Sequence, residues 1–299
     1  MEYRKLGKTD MNVSVLGFGG WEIGYQHVSR ATAKKLLNEA LDTGINAIDT
    51  AECYANSEEL IGEALGKRRK DCYLLTKCGH ERGWSYPDWH AESLLRSTQR
   101  SLKRLQTDHL DLIQLHSCSE AELRKGDVIA ALQRARERGY ARYIGYSGDS
   151  QAALYAIECG AFDTLQTSIS IADQEALDLF LPLAHKHNIG VIAKRPIANV
   201  AWRNGNRPPS DTYGRPYWER LRKLKYEFLQ GTLKNTIATA LRFTLSAPGV
   251  HTVIVGTTKL GRFAENGAAA AAGPLSEEQF ASIRGRWREF AQPTWVGQT

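Results

Sequence analysis

The stretch Ala47–Gly79, AIDTAECYANSEELIGEALGKRRKDCYLLTKCG, decides how the rest of the chain is read. It predicts strand, loop, helix, strand: a short apolar run ending at Asp49, a polar turn, an amphipathic segment, then YLLTK. Strands joined in this way run parallel, so their ends share one face of the sheet. Asp49, Tyr54 and Lys77 are therefore expected to converge there as an acid, a phenol and an amine. A free tyrosine, with a pKa of about 10, releases its proton reluctantly at neutral pH. A nearby lysine cation favours the phenolate, and a carboxylate holds that lysine in place and charged. Tyr54 is the expected acid, Lys77 its tuner and Asp49 the anchor. One strand later, LDLIQLHSC carries His116 after an apolar run, where an imidazole can hydrogen-bond and orient a carbonyl oxygen. Taken singly, the four also read as a loop cap, a buried aromatic, a surface charge and a satisfied core histidine. Their joint placement at three successive strand ends favours the chemical reading.

Outward from this stretch the same rhythm repeats. The opening EYRKLGKTDMNVSVLGFGG predicts a hairpin around Gly7–Asp10 leading into a first barrel strand near Val15–Phe18. Gly19 and Gly20 allow close backbone approach to a ligand, and Trp21 follows at the strand end. Ser29 is placed to cap a helix that buries Leu36, Leu37, Ala40 and Leu41 and stops at Gly44 before INAID. Asn56 with Glu59 has capping-box spacing. A helix from about His90 to Leu105 precedes LDLIQLH, and further helices stop at Gly139, at Gly160 and near Asn188, before ARYIGYS, DTLQTS and IGVIAK. A segment from Trp218 to Leu245 leads to HTVIV, which brings the count to eight strands. Eight parallel strands wrapped by helices predict an α/β fold, a (β/α)8 TIM barrel formed by residues 1–299 as one domain. No GxGxxG follows an early strand, which argues against an open dinucleotide-binding sheet. A last helix, Ser276–Phe290, and the tail QPTWVGQT are expected over the upper rim.

Composition narrows the class. The chain is 299 residues long, 42% hydrophobic and 24% charged, as expected of a globular protein. No apolar run approaches the ~20 residues of a membrane span, and MEYRKLGKTDMN has no hydrophobic signal core, so a cytoplasmic protein without a membrane partner is expected. Five cysteines without framework spacing predict reduced thiols, three of them, Cys53, Cys78 and Cys118, near the site. A net charge of +6 and the run Lys67–Lys70 (KRRK) invite a nucleic-acid reading. The run suits a helix C-terminus, and no nucleic-acid-binding signature accompanies it, so no nucleic-acid partner is expected. Cys78-x-His80 with His116-x-Cys118 could supply zinc ligands but lacks the close spacing of a zinc site, and no metal is expected.

Two regions frame the expected mouth. The loop HERGWSYPDW brings Trp84, Tyr86 and Trp89, so the pocket should be aromatic and partly apolar. The loop from Ala198 to Arg215 is long and rich in Gly and Pro, as functional lids are, with Trp202 as its candidate contact. After the eighth strand comes IVGTTKLGRFAEN, at the place where barrels bind phosphate. Gly256, Thr257 and Thr258 provide backbone and hydroxyl donors, and Arg262 a bidentate fork. Arg262 and Glu265 also have the spacing of an ordinary helix-surface pair.

The segments IDTAECY, LLTKCG and LIQLH resemble, in order and strand position, the Asp, Tyr, Lys and His tetrad of the aldo-keto reductases, and the likeness runs from LGFGGW to IVGTTKLGRFAEN. The resemblance implies a metal-free enzyme that moves a hydride between NADPH/NADP+ and the carbonyl of a small-molecule aldehyde or ketone, on a barrel whose floor the hairpin closes. It implies that Asp49, Tyr54, Lys77 and His116 are catalytic and that Trp21 lines the substrate pocket with Trp84 and Trp202. It implies that Gly20 and Gly256–Thr258 contact the cofactor, with Thr257, Arg262, Glu265 and Asn266 on the adenosine 2′-phosphate and adenine, which favours NADPH over NADH. Ser147 and Gln166 match positions that hold the nicotinamide carboxamide. The Asn usual after that serine is Gly148 here, with Asp149 or water as its replacement. Lys194 stands where an aromatic commonly stacks on the nicotinamide, and Arg195 is placed to reach the pyrophosphate. The alternative on the same fold is an NADPH-binding sensor or regulatory subunit with little turnover.

Overall fold

A computed structural model describes residues 1–211 and 213–298; Thr212 in the long loop and Thr299 in the tail lie outside the described residues. Eight parallel strands close into a barrel in the order β10-β3-β4-β5-β6-β7-β8-β9. They are β3 (Leu16–Gly19), β4 (Ala47–Asp49), β5 (Tyr73–Cys78), β6 (Leu110–His116), β7 (Ala141–Ser147), β8 (Thr164–Ser168), β9 (Gly190–Lys194) and β10 (Val250–Val255). Each was expected from its short apolar run between helix stops. The strands are buried on both sides because one face fills the barrel and the other meets helices, even in β8, whose TLQTS is mostly polar.

The opening strands β1 (Tyr3–Lys5) and β2 (Asn12–Ser14) pair antiparallel. Their turn region buries Leu6, Met11 and Val13 in a cluster with Ala47, Leu75, Leu112, Ile192 and Ile254, side chains of five barrel strands. Gly7, at φ +53, allows this close docking: a Cβ there would lie 2.2 Å from Gly190 N. The hairpin is thus the barrel floor, and the opposite end is left for function.

Helix boundaries follow local chemistry in most places. Ser29 accepts from Thr32 N and caps Arg30–Asp42, whose buried side chains are Ala33, Leu36, Leu37, Ala40 and Leu41. Asn56 precedes Ser57–Leu65, but its side chain makes no cap bond, so the capping box expected with Glu59 is absent. A complete box forms instead between Ser276, the N-cap of Glu277–Phe290, and Gln279 in that helix's first turn. The KRRK run lies in a 3-10 turn, Gly66–Asp71. There Arg68 pairs with Asp42 at 2.7 Å and Arg69 with the buried Asp111 at 2.8 Å. Two of its four charges therefore serve the fold. No helix among the described residues is long and apolar enough to cross a membrane.

Candidate active site

Register assembles the site. Asp49 ends β4, Lys77 lies one residue from the end of β5, and His116 ends β6. His116 is level with Ser147 of β7, and Ser147 with Gln166 of β8. Consecutive parallel strands thus carry five polar side chains to one rim.

Lys77 Nζ donates to Asp49 Oδ2 and to Thr50 O, both at 2.7 Å. The lysine is 1% exposed and the aspartate 4%. The other carboxylate oxygen of Asp49 accepts from Gln166 Nε2 at 2.9 Å, and Gln166 Oε1 accepts from Ser147 Oγ at 3.0 Å. A continuous polar chain therefore runs from Lys77 to Ser147, and each buried carboxylate oxygen has a donor. Tyr54 follows in the loop after β4, with Lys77 Nζ 5.1 Å from its ring centroid. His116 meets the Tyr54 ring edge-on, centroids 5.7 Å apart.

The electrostatics differ from the sequence expectation in one respect. Burial and the Asp49 carboxylate push the Tyr54 phenol well above its ordinary range, and the lysine's donors are directed to Asp49 and Thr50. In this state Tyr54 holds its proton rather than standing as a phenolate. Burial and the neighbouring Lys77 cation hold His116 well below the usual histidine range, so its ring is neutral at pH 7. A protonated phenol and a neutral imidazole are two groups able to donate to one oxygen.

An aromatic wall surrounds these groups. Trp84 stacks on His80 at 4.3 Å and meets His116 edge-on at 5.0 Å. Trp21, 42% exposed, leans on Tyr25, which in turn meets the Tyr54 ring edge. Trp21 and Trp84 thus border the same group of rings as Tyr54 and His116. Tyr25 and His80 were not anticipated; both lie beside anticipated aromatics, and only folding places them around Tyr54 and His116. Trp202 makes other contacts. Its Nε1 donates to Thr236 Oγ1 at 3.1 Å, and the ring packs against a cluster of Tyr217, Leu221, Phe243 and Trp287. The indole serves packing between the loop and the helix Leu233–Ser246. The loop residue that meets a site cation is Tyr213, over whose ring the Arg195 guanidinium lies at 4.5 Å.

The cofactor side is mixed. Thr257, Thr258 and Arg262 are partly exposed on the loop after β10 and the helix Arg262–Ala271 beyond it, while Asn266 is buried. Arg262 pairs with Glu265 at 2.5 Å, so the surface-pair reading is also realised. Two carboxyl groups reach the same loop. Glu39 accepts from Gly261 N at 2.9 Å, at the start of that helix. Glu22 fills the space over Gly256, where an added Cβ would lie 1.5 Å from its carboxyl oxygen, and burial raises its pKa to about 7. Gly20 is another close approach, to the chain rather than to open space: a Cβ there would meet Ser57 Oγ at 2.6 Å.

At β9, Lys194 Nζ pairs with Asp149 at 2.8 Å, and Asp149 also accepts from Thr167 Oγ1 and Ser168 N at 2.7 Å. Asp149 is thus committed to Lys194 and β8 and does not stand free to replace the asparagine absent at Gly148. Arg195 donates to Ser168 Oγ at 3.2 Å and to the carbonyl of Gln298 in the tail. The Cys78 thiol donates to Gln114 O and the Cys118 thiol to Ser119 O.

A family model described as the aldo/keto reductase family matches residues 15–288. The chain belongs to the aldo/keto reductase family. Among solved structures, aldo-keto reductase AKR11C1 from Bacillus halodurans in its holo form superposes with a TM-score of 0.84 at 29% identity, over 99% of each chain. L-galactose dehydrogenase of Arabidopsis thaliana is 30% identical over 90% of this chain and 88% of its own length. A probable voltage-gated potassium channel subunit beta of the same plant is 30% identical over 89% of this chain and 90% of its own. As an aldo/keto reductase, the chain is an oxidoreductase on a (β/α)8 barrel, and its polar rim lies at the strand ends where that barrel carries chemistry.

Proposed function

We propose that this aldo/keto reductase reduces an aldehyde or ketone at the expense of NADPH, with Tyr54 as the proton donor. The observation that carries the proposal is the buried Lys77–Asp49 pair beside a protonated Tyr54 and a neutral His116. When bound, the dinucleotide supplies the hydride to the carbonyl carbon. The residues that would hold it are Ser147 and Gln166 at the β7 and β8 ends, Arg195 after β9, and Thr257, Thr258, Arg262 and Asn266 after β10. Their chemistry suits it: amide and hydroxyl groups at one end for a carboxamide, guanidinium groups and hydroxyls further along for phosphates.

The chain's own part is to bind and polarise the oxygen. His116 donates one hydrogen bond to the carbonyl oxygen and orients it, and Tyr54 gives its proton to the same oxygen as negative charge develops there. Charge left on the phenol is met by the Lys77 ammonium, which Asp49 keeps in place. Trp21, Tyr25 and Trp84 exclude water and favour a carbonyl compound with apolar or ring-shaped bulk.

The test is NADPH oxidation with a panel of aldehydes, ketones and aldoses. Tyr54→Phe is expected to lower kcat by about 10²–10⁴-fold while leaving the NADPH dissociation constant within about twofold of wild type. Near-wild-type turnover by Tyr54→Phe would remove Tyr54 from this role, and NADPH binding without turnover of any carbonyl would favour a regulatory subunit.

A further inference from the structure

Cys53 stands next to the proposed acid, and its thiol faces the proposed orienting histidine, with Sγ 3.5 Å from His116 Nδ1. The contact is held from several sides. Tyr25 Oη donates to the Cys53 carbonyl at 2.5 Å. Glu52 N and Tyr54 N, on either side, donate to Lys77 O and Ala51 O. The Glu52 carboxylate accepts from Gly79 N at 2.6 Å and His80 N at 2.8 Å, which ties the same loop to the end of β5. The imidazole has the edges of Tyr54, Trp84 and His80 around it, so rotation away from the thiol would break three ring contacts.

A neutral imidazole carries its proton on one nitrogen, and the bond made by the other nitrogen selects which. Two arrangements fit a 3.5 Å contact: S–H donating to Nδ1, or Nδ1–H donating to sulfur. The thiol is weak in either role, but only the first arrangement gives its proton an acceptor, since Cys53 Sγ has no other hydrogen-bond partner among the described residues, so the first is favoured. Both partners are in the required state near pH 7. Burial raises the Cys53 thiol to about 12, which keeps its proton on sulfur, and the ring is neutral for the reasons given above.

We propose that Cys53 is a positioning residue whose thiol donates to Nδ1 of His116, holding the ring's proton on Nε2 as the donor for the substrate carbonyl oxygen. The other tautomer would present a lone pair to that oxygen and repel it. The importance of the tautomer rests on the reductase reading; the tautomer itself does not.

The deciding measurement is a long-range ¹⁵N–¹H correlation spectrum of protein with ¹⁵N-labelled histidine rings, without added ligand, near pH 7. His116 is assigned by the signals lost in His116→Gln. The expected result is a single Nε2–H tautomer with an unprotonated Nδ1. In Cys53→Ala the ring signals should move toward a tautomer average, and Cys53→Ser, which restores a donor, should move them back. With an active substrate, kcat/KM should fall roughly two- to tenfold in Cys53→Ala and recover in Cys53→Ser, with NADPH affinity unchanged. A wild-type ring protonated on Nδ1 would overturn the proposal, as would Cys53→Ala signals identical to wild type. If Cys53→Ala does not fold, Cys53→Val takes its place in the comparison, and a wild-type ring protonated on Nδ1 overturns the proposal without any variant. The Nε2–H tautomer in a protein that reduces no carbonyl would support the thiol contact while sinking the reductase reading.

Discussion

Lys77→Met tests the physical centre of the site without reference to turnover. The substitution keeps much of the side chain's length and removes its charge. In the native protein Nζ lies 2.7 Å from Asp49 Oδ2, and both residues are nearly excluded from solvent. At an effective dielectric constant of about 20, two unit charges at that distance attract by about 6 kcal/mol. Desolvation of both ions offsets much of this, so the informative quantity is the cost of breaking the pair. After Lys77→Met the Asp49 carboxylate keeps the bond from Gln166 and loses its counter-ion, a situation that costs about 3–5 kcal/mol. The double variant Lys77→Met/Asp49→Leu removes both charges and is expected to recover most of that loss, since an apolar pair of similar volume is often no less stable. Urea unfolding of wild type, both single variants and the double variant at pH 7 gives the coupling energy directly. A Lys77→Met cost below about 1 kcal/mol, or additive single effects, would refute a buried, mutually dependent pair. The double variant should nevertheless be inactive, since restored stability does not restore the charge beside Tyr54.

Three further outcomes follow from particular residues. Glu22 has its pKa raised from 4.5 to about 7 by burial, so the folded protein holds that proton more tightly than the unfolded chain; its contribution is fully present below pH 4.5 and lost as pH rises to 7. Glu22→Gln should therefore be more stable than wild type at pH 8 by about 3 kcal/mol, an advantage that shrinks toward pH 4.5; a pH-independent difference in urea midpoints would contradict this. Arg262→Leu should raise KM for NADPH by about tenfold to a hundredfold and change KM for NADH little, as expected if the guanidinium meets the 2′-phosphate; equal effects on both coenzymes would remove that role. Trp202→Ala should cost about 1–3 kcal/mol of stability, since the ring is only partly buried, with a less than threefold change in KM for the carbonyl substrate, and a KM effect without a stability effect would return Trp202 to the pocket.

The fold, and the meeting of Asp49, Lys77 and His116 at one rim, were legible in the sequence because both are encoded by periodicity and position. Eight short strand runs between helix stops predict a parallel sheet covered on both faces, and the count of eight with no GxGxxG after an early strand favours a closed barrel over an open doubly wound sheet. Asp49, Lys77 and His116 sit at or beside strand ends, so knowing the strands was enough to know that they share a rim, and Tyr54 follows in the loop after the first of them. What the sequence could not supply is where a loop side chain turns and what each charge is committed to. Trp202 looks like a lid contact in a loop rich in Gly and Pro, yet Thr236 and a second apolar cluster take it up. Asp149 looks like a free polar substitute, yet Lys194 from two strands away claims it. Glu22 and Glu39 reach the loop after β10 from segments with no local sign of doing so, and the 3.5 Å approach of Cys53 to His116 joins residues 63 apart in sequence. Strand order and rim position follow from short-range pattern, whereas protonation, pairing and side-chain direction depend on distances between segments that only the closed barrel brings together.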